Sequence, residues 1–333
     1  QPSLCPTSSS PCQMDEKRSG DEDRLEDKGG PQEDKGSPEE DKGGPEDDSE
    51  GPEEDTGPED KGGPAGDKGE PAEDKSLGWK VPENAGPEEK SPEEDNNNIY
   101  EILFVCTSVE TSSWGAPTGA WLKEIAEPYY VLQEAGYRAD ICSIAGGPPA
   151  LDPQCTVDVL EDSPMARFLA DSDAQFIFSH ARSLAAIVRA GDLRNYCAIY
   201  LVGGHGCVDD FYQSADIKQA VESFLEESKG CIGAVCHGPL GLANCVFNGQ
   251  PFLKNKFVAA FSNEEENILG LVDTLPVLTE DVMDEMGAVH VPSPPWKPHA
   301  VVDGRLVTGQ NPDSSKEVAQ RMLDVLRTKG SAY

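Results

Sequence analysis

The sequence predicts a doubly wound α/β domain, a mostly parallel sheet with helices on both faces, and two observations carry that expectation. From about residue 99 onward, short apolar runs alternate with segments of helical period. Strands and helices in alternation form right-handed βαβ units, which build parallel sheets covered on both sides. Two of the apolar runs also end in conspicuous loops, Gly203–Gly206 and Cys236–Pro239. In open α/β sheets the chemistry collects at the carboxyl ends of the strands.

The elements follow in order. Ile99 to Cys106 is a short apolar strand. Thr118 to Ala135 has helical spacing, with Trp121, Leu122, Ile125 and Ala126 on its apolar face. Pro128 is expected to kink or break this helix, and Gly136 to cap it. Tyr137 to Ile144 is a second strand, and Gly146 to Pro149 a loop. Met165 to Ala170 and Leu184 to Ala190 are expected as helices, and Cys197 to Val202 as a buried strand. An amphipathic helix from Asp216 to Ser228 precedes a strand at Cys231 to Val235, and a helix is expected from about Leu240. Asp303-Gly304 between two short apolar runs is a hairpin signal, and Ser314 to Leu326 is a closing helix.

The residues before Ile99 are of another kind. The first 98 hold 31 Asp and Glu against 11 Lys and Arg, a net of −20 out of the chain's −35. They contain almost no Ile, Val, Phe or Tyr, so they cannot bury enough apolar surface to offset the entropy of ordering. We expect a disordered, acidic, Pro/Gly-rich tail over 1–98 and one folded domain over 99–333. Within the tail, Glu26-Asp27-Lys28-Gly29-Gly30-Pro31 recurs in degenerate form from Glu33 and from Glu40. The repeat is neither a coiled-coil heptad nor collagen, and reads as a solvated linker or as a segment for basic partners. Trp79 is the one apolar spot suited to docking, and nothing in the tail names its partner.

Composition excludes several classes. The chain has no basic stripe, so nucleic acid is not an expected partner. No run of 18 apolar residues exists, so no membrane-spanning helix is expected. The chain starts at Gln1 rather than Met, which is compatible with an upstream initiator segment or a cleaved leader. Its ten cysteines are scattered, without a CxxC pair or zinc-like spacing. That pattern suits reduced thiols in the cytoplasm and predicts no metal site and no cofactor.

The segment Gly233-Ala234-Val235-Cys236-His237-Gly238-Pro239 places a cysteine at the end of an apolar strand, before a glycine and a helix. This is the pattern of a nucleophile elbow, in which a tight turn presents a reactive side chain. A following helix N-terminus would lower the thiol pKa and make Cys236 the most acidic thiol of the ten. Gly203-Gly204-His205-Gly206 also follows an apolar strand. Its backbone N–H groups suit an oxyanion site, formed by the N–H of Gly204 with that of His237. His205 either lines the pocket or is structural, and Asp209 and Asp210 either order the pocket or face solvent.

These segments together resemble the ThiJ/PfpI superfamily, within the flavodoxin-like, class I glutamine-amidotransferase-like fold. More narrowly they are similar to its branch of heat-shock chaperones and glutathione-independent glyoxalases. The residues that carry the resemblance are Thr107-Ser108, Pro117 to Glu124 with Pro128, the Gly203–Gly206 loop, Ala234 to Pro239, Phe261 to Glu266, and Asp303 to Pro312. They span the folded region in order, and the acidic tail has no counterpart in the family pattern.

The resemblance implies roles that spacing alone does not give. Cys236 matches the nucleophile and His237 its adjacent base. Glu124 matches a glutamate that hydrogen-bonds the sulfur, although on pattern alone it would be a helix-surface residue. Glu266 aligns with the acid that completes a triad, with Glu265 the near alternative among three consecutive glutamates. The implied chemistry is attack by Cys236 on the aldehyde carbon of a small α-oxoaldehyde such as methylglyoxal. A base, His237 or Glu124, would move a proton between the two carbons through an enediol, and hydrolysis would release lactate. No metal and no glutathione are required. The resemblance also allows a homodimer, a cysteine amidase or peptidase, and a chaperone-like sensor that reports oxidation of Cys236.

Overall fold

The computed structural model describes residues 101–330 apart from 158 and 229. The acidic tail with its repeat, Trp79, Cys5 and Cys12 lie outside the described residues, as does Ile99, the expected start of the first strand.

Strand β1 (Glu101–Cys106) sits inside the sheet and is buried on both faces. Ile102, Phe104 and Cys106 enter one core layer while Leu103 and Val105 enter the other. Side chains alternate faces along a strand, so a strand covered on both sides reads as a continuous apolar run. Helix α1 (Leu122–Glu134) follows, then β2 (Arg138–Ser143), which pairs parallel with β1. Helices α2 (Pro164–Ala170) and α3 (Ser172–Ser179) meet at Asp171, whose carboxylate accepts from the Asp173 and Ala174 N–H groups and so caps α3. The sequence pattern did not single out α3.

The chain continues through β3 (Arg182–Ser183), α4 (Leu184–Ala190), β4 (Tyr196–Leu201), α5 (Cys207–Asp210), α6 (Ala215–Glu227) and β5 (Cys231–Val235). A hairpin of β6 (Val246–Phe247) and β7 (Gln250–Pro251) comes next. A second small pair joins β8 (Phe257–Val258) to β9 (Val289–His290), with α7 (Asn263–Leu269) and α8 (Thr279–Glu285) between them. Strands β10 (Ala300–Asp303) and β11 (Leu306–Gly309) form the hairpin expected at Asp303-Gly304, and α9 (Ser315–Gly330) closes the chain.

The main sheet has seven strands in the order β10-β11-β5-β4-β1-β2-β3, and only β10 is antiparallel to its neighbour. Helices α1 and α9 cover one face, and α4 and α6 the other. The loops after β1, β4 and β5 emerge side by side at the carboxyl edge, and the site lies there. Among the described residues no helix is long and apolar enough to cross a membrane.

Two expectations about helices are corrected. Pro128 does not break α1, which runs through it. A proline inside a helix removes the N–H that would bond the carbonyl four residues back. Here that carbonyl belongs to Glu124, and the buried Tyr200 hydroxyl donates to it at 3.1 Å. The freed acceptor is therefore paired from β4. The helix expected from Leu240 is instead a single five-residue 3-10 segment, Gly238–Leu242. Its two glycines, Gly238 and Gly241, disfavour a longer α-helix.

Candidate active site

The strand β5 ends at Val235, and Cys236 follows with φ +59°, a left-handed conformation that is uncommon for a residue with a side chain. The strain is of order 1–2 kcal/mol. Two backbone bonds hold it: the Cys236 N–H donates to the Gly309 carbonyl at 2.9 Å, and its own carbonyl accepts from Phe261 N–H at 3.0 Å. The elbow read from the sequence is thus clamped from β11 on one side and from the segment before α7 on the other.

The loop after β4 packs directly against the elbow. A Cβ on Gly203 would lie 2.6 Å from Glu124 Oε2 and 2.8 Å from Cys236 Cβ. Gly204 has φ +116°, and a Cβ there would lie 2.2 Å from the Gly119 carbonyl oxygen. Only glycine fits at either position. The Gly204 N–H faces the sulfur closely enough to pull the Cys236 pKa down, against larger opposing effects.

Cys236 Sγ lies 3.1 Å from His237 Nδ1, and His237 Nε2 lies 2.7 Å from Glu266 Oε1. Burial works against the Glu266 charge, but hydrogen bonds from His205 and His237 outweigh it and hold the carboxyl at about 2. Burial, then the neighbouring His205, lowers the His237 pKa. A neutral His237 donating Nε2–H to the ionised Glu266 leaves the Nδ1 lone pair toward the thiol. The hydrogen-bond network assigns this tautomer.

The acid that meets His237 is Glu266 and not Glu265. Glu265 closes the capping box of α7 with Ser262. It also accepts from Gln310 at 3.1 Å, from Asn311 at 2.8 Å and from the Trp296 N–H at 2.9 Å. It ties α7 to the segments before β10 and after β11. Adjacent positions on a helix point about 100° apart, so one glutamate reaches the histidine and the other the tie.

Glu124 is fully buried, at 0% exposure, and is not the helix-surface residue its pattern suggested. Its Oε2 accepts from the Gly203 N–H at 2.7 Å. Burial pushes its pKa up to about 8, against hydrogen bonds with Cys236 and Gly203. It is therefore protonated near neutral pH, facing the sulfur. Cys236 itself is pushed well above its ordinary value, first by burial and then by the Glu124 charge. Burial thus works against the acidic thiol that the sequence pattern suggests. The turn behind Cys236 is too short to supply a helix dipole, and partly exposed Cys155 is raised less, to about 11. The Cys236 Sγ lies within proton-transfer reach of His237 Nδ1.

Asp209 and Asp210 order the loop after β1. Asp210 accepts from Ser108 N–H and Asp209 from Ser113 N–H, each at 2.8 Å. Burial raises the Asp210 pKa to about 6.

A cleft of about 350 Å3 opens over Cys236. Gly204, His205, Thr118, Asp152 and the aromatic walls Trp114, Trp121, Phe261 and Trp296 line it. Glu124 and His237 are absent from its walls, each 0% exposed behind Cys236. The sequence pattern missed Asp152 and the aromatic walls, because they come from separate loops with no shared spacing. His205, His237 and Glu266 offer ligand atoms within 4.8 Å of one another, the described set that converges closely enough for one metal ion. Their hydrogen bonds to each other already satisfy these atoms.

The sequence model of the DJ-1/PfpI family matches residues 118–325. "Glyoxalase 3" of Candida albicans is 29% identical over 241 residues, covering 68% of this chain and 98% of that protein. "Glutathione-independent glyoxalase HSP31" of Saccharomyces cerevisiae is 30% identical over 238 residues, with the same coverage. Among solved structures, the Rapid Encystment Protein of Francisella tularensis has a TM-score of 0.62 at 36% identity, covering 68% of this chain and 99% of that one. The crystal structure of glyoxalase III from Candida albicans has a TM-score of 0.61 at 25% identity, covering 68% and 98%.

Proposed function

The chain belongs to the DJ-1/PfpI family, and from that premise we propose that it is a cysteine-dependent, glutathione-independent glyoxalase, a lyase converting methylglyoxal to lactate. The observation that carries this reading is the Cys236–His237–Glu266 chain of contacts at 3.1 and 2.7 Å, opening through Cys236 onto an aromatic-walled cleft. Relatives that align over nearly their whole length carry glyoxalase names.

His237 takes the thiol proton as Cys236 attacks the aldehyde carbon, and Glu266 stabilises the resulting imidazolium. The Gly204 and His237 N–H groups serve the oxygen of the adduct. Protonated Glu124 holds the sulfur by a hydrogen bond. The hemithioacetal isomerises through an enediol to a lactoyl thioester, which water cleaves. Residues 99–333 carry the whole of this chemistry, and the tail over 1–98 takes no part in it. The free cysteines suit a cytoplasmic setting.

The test is steady-state lactate formation from methylglyoxal by the full chain, in chelator-treated buffer without glutathione, beside Cys236→Ser. Turnover by the wild type and its loss in the variant are expected. Hydrolysis of amides without any lactate formation would replace this reading with an amidase.

A further inference from the structure

The geometry points to His205 as the catalytic base that carries the proton between the two substrate carbons. This rests on the glyoxalase reading above. A substrate bound to Cys236 lies in the cleft, and the group that removes its C–H proton has to face that space. His237 does not: its side chain is 0% exposed, with the His205 ring at 4.2 Å and the Phe261 ring stacked at 4.7 Å. Glu124 does not either, being 0% exposed and outside the lining. His205 lines the cleft beside Cys236, and its side chain keeps 16% exposure.

The hydrogen bonds also fix the tautomer that a neutral His205 adopts. Its Nε2 lies 3.2 Å from both oxygens of Glu266. A carboxylate only accepts, so neutral His205 donates Nε2–H and keeps its lone pair on Nδ1. One buried carboxylate thus sets the tautomer of two imidazoles. His237 serves the thiol proton and His205 the carbon-bound proton. Two histidines divide two proton transfers that one buried ring cannot reach together.

The step balances as an internal redox exchange. His205 Nδ1 removes the proton on the former aldehyde carbon of the hemithioacetal. The C–H electrons form the carbon–carbon double bond, and the neighbouring carbonyl oxygen takes the proton of the hydroxyl on the sulfur-bearing carbon, giving the enediolate. The imidazolium then returns its proton to the neighbouring carbon as the oxygen on the sulfur-bearing carbon forms the thioester carbonyl. One carbon is oxidised by two electrons and the other reduced by two, with no external oxidant.

The experiment uses the full chain with His205→Gln, which keeps a donor for Glu266 but carries no proton. Turnover of methylglyoxal is measured beside the rate of Cys236 alkylation by iodoacetamide. The expected result is a fall in kcat of at least about 10²-fold with alkylation within about threefold of wild type. Methylglyoxal deuterated on its aldehyde carbon should then show a larger isotope effect than with wild type. Added imidazole should restore part of the turnover of His205→Ala, an effect that requires a folded protein and that a packing role would not produce. Wild-type kcat in His205→Gln, or loss of alkylation in step with turnover, overturns the assignment. A wild-type chain that alkylates at Cys236 but forms no lactate sinks the glyoxalase reading itself, and this assignment with it.

Discussion

Glu124→Gln should make the protein more stable, by an amount that grows with pH. Glu124 is fully buried, and its pKa rises from the ordinary 4.5 to about 8. Folding therefore takes up a proton at this site between those pH values. A raised folded-state pKa gives a contribution that is fully present below the unfolded value and is lost as pH rises toward the folded one. At 1.36 kcal/mol per pKa unit the loss is about 3 kcal/mol at pH 7 and approaches about 5 kcal/mol above pH 8. Gln is neutral in both states and has the same shape. It can accept from Gly203 N–H and still donate toward Cys236, so it escapes that loss. Urea unfolding of both proteins at pH 5, 7 and 8 should show the stability gap widening by about 3–4 kcal/mol across the range. Parallel pH–stability curves for variant and wild type would refute the reasoning, because they would mean that Glu124 is equally ionised in the folded and unfolded chains. The Gln variant should also keep most of the Cys236 alkylation rate, whereas Glu124→Ala, which removes the donor and leaves a cavity, should not.

Other outcomes follow from the same geometry. Gly204→Ala should abolish turnover and destabilise by more than about 3 kcal/mol, read by thermal unfolding, since its Cβ would fall 2.2 Å from the Gly119 oxygen at φ +116°. Tyr200→Phe should lower stability by about 1–3 kcal/mol in urea unfolding, because it leaves the Glu124 carbonyl without the donor that Pro128 cannot supply. Limited proteolysis should remove the acidic residues before about Ile99 and leave lactate-forming activity in the remaining core; a protease-protected tail fragment would count against this.

The parts legible in the sequence are those set by period and punctuation. Leu184–Ala190 and Cys231–Val235 appear with the expected bounds, and the Asp303-Gly304 hairpin forms where the turn dipeptide places it. The elbow was legible because a strand, a cysteine and a glycine had to be contiguous. What depends on tertiary packing was not. Helix α1 buries Leu122, Glu124, Ile125, Ala126, Pro128, Tyr129, Tyr130 and Leu132, nearly all round, so amphipathic spacing cannot tell its buried glutamate from a surface one. The pairing of the Glu124 carbonyl by Tyr200 crosses 76 residues and leaves no local mark at Pro128. The division of labour between Glu265 and Glu266 depends on which side of one helical turn faces His237. The thiol's raised pKa reflects burial of Cys236, where local pattern pointed to a helix dipole.

The central claim is that the reaction runs through a covalent adduct on Cys236. The direct measurement is rapid quenching of the full chain during methylglyoxal turnover, followed by peptide mapping of the modified sulfur by mass spectrometry. The account predicts an adduct with the mass of one methylglyoxal on the Cys236 peptide. That adduct should appear at the rate of turnover, disappear as substrate is exhausted, and be absent from Cys236→Ser. Undiminished lactate formation by Cys236→Ser, or a turnover-linked adduct confined to another cysteine such as Cys155, would contradict it.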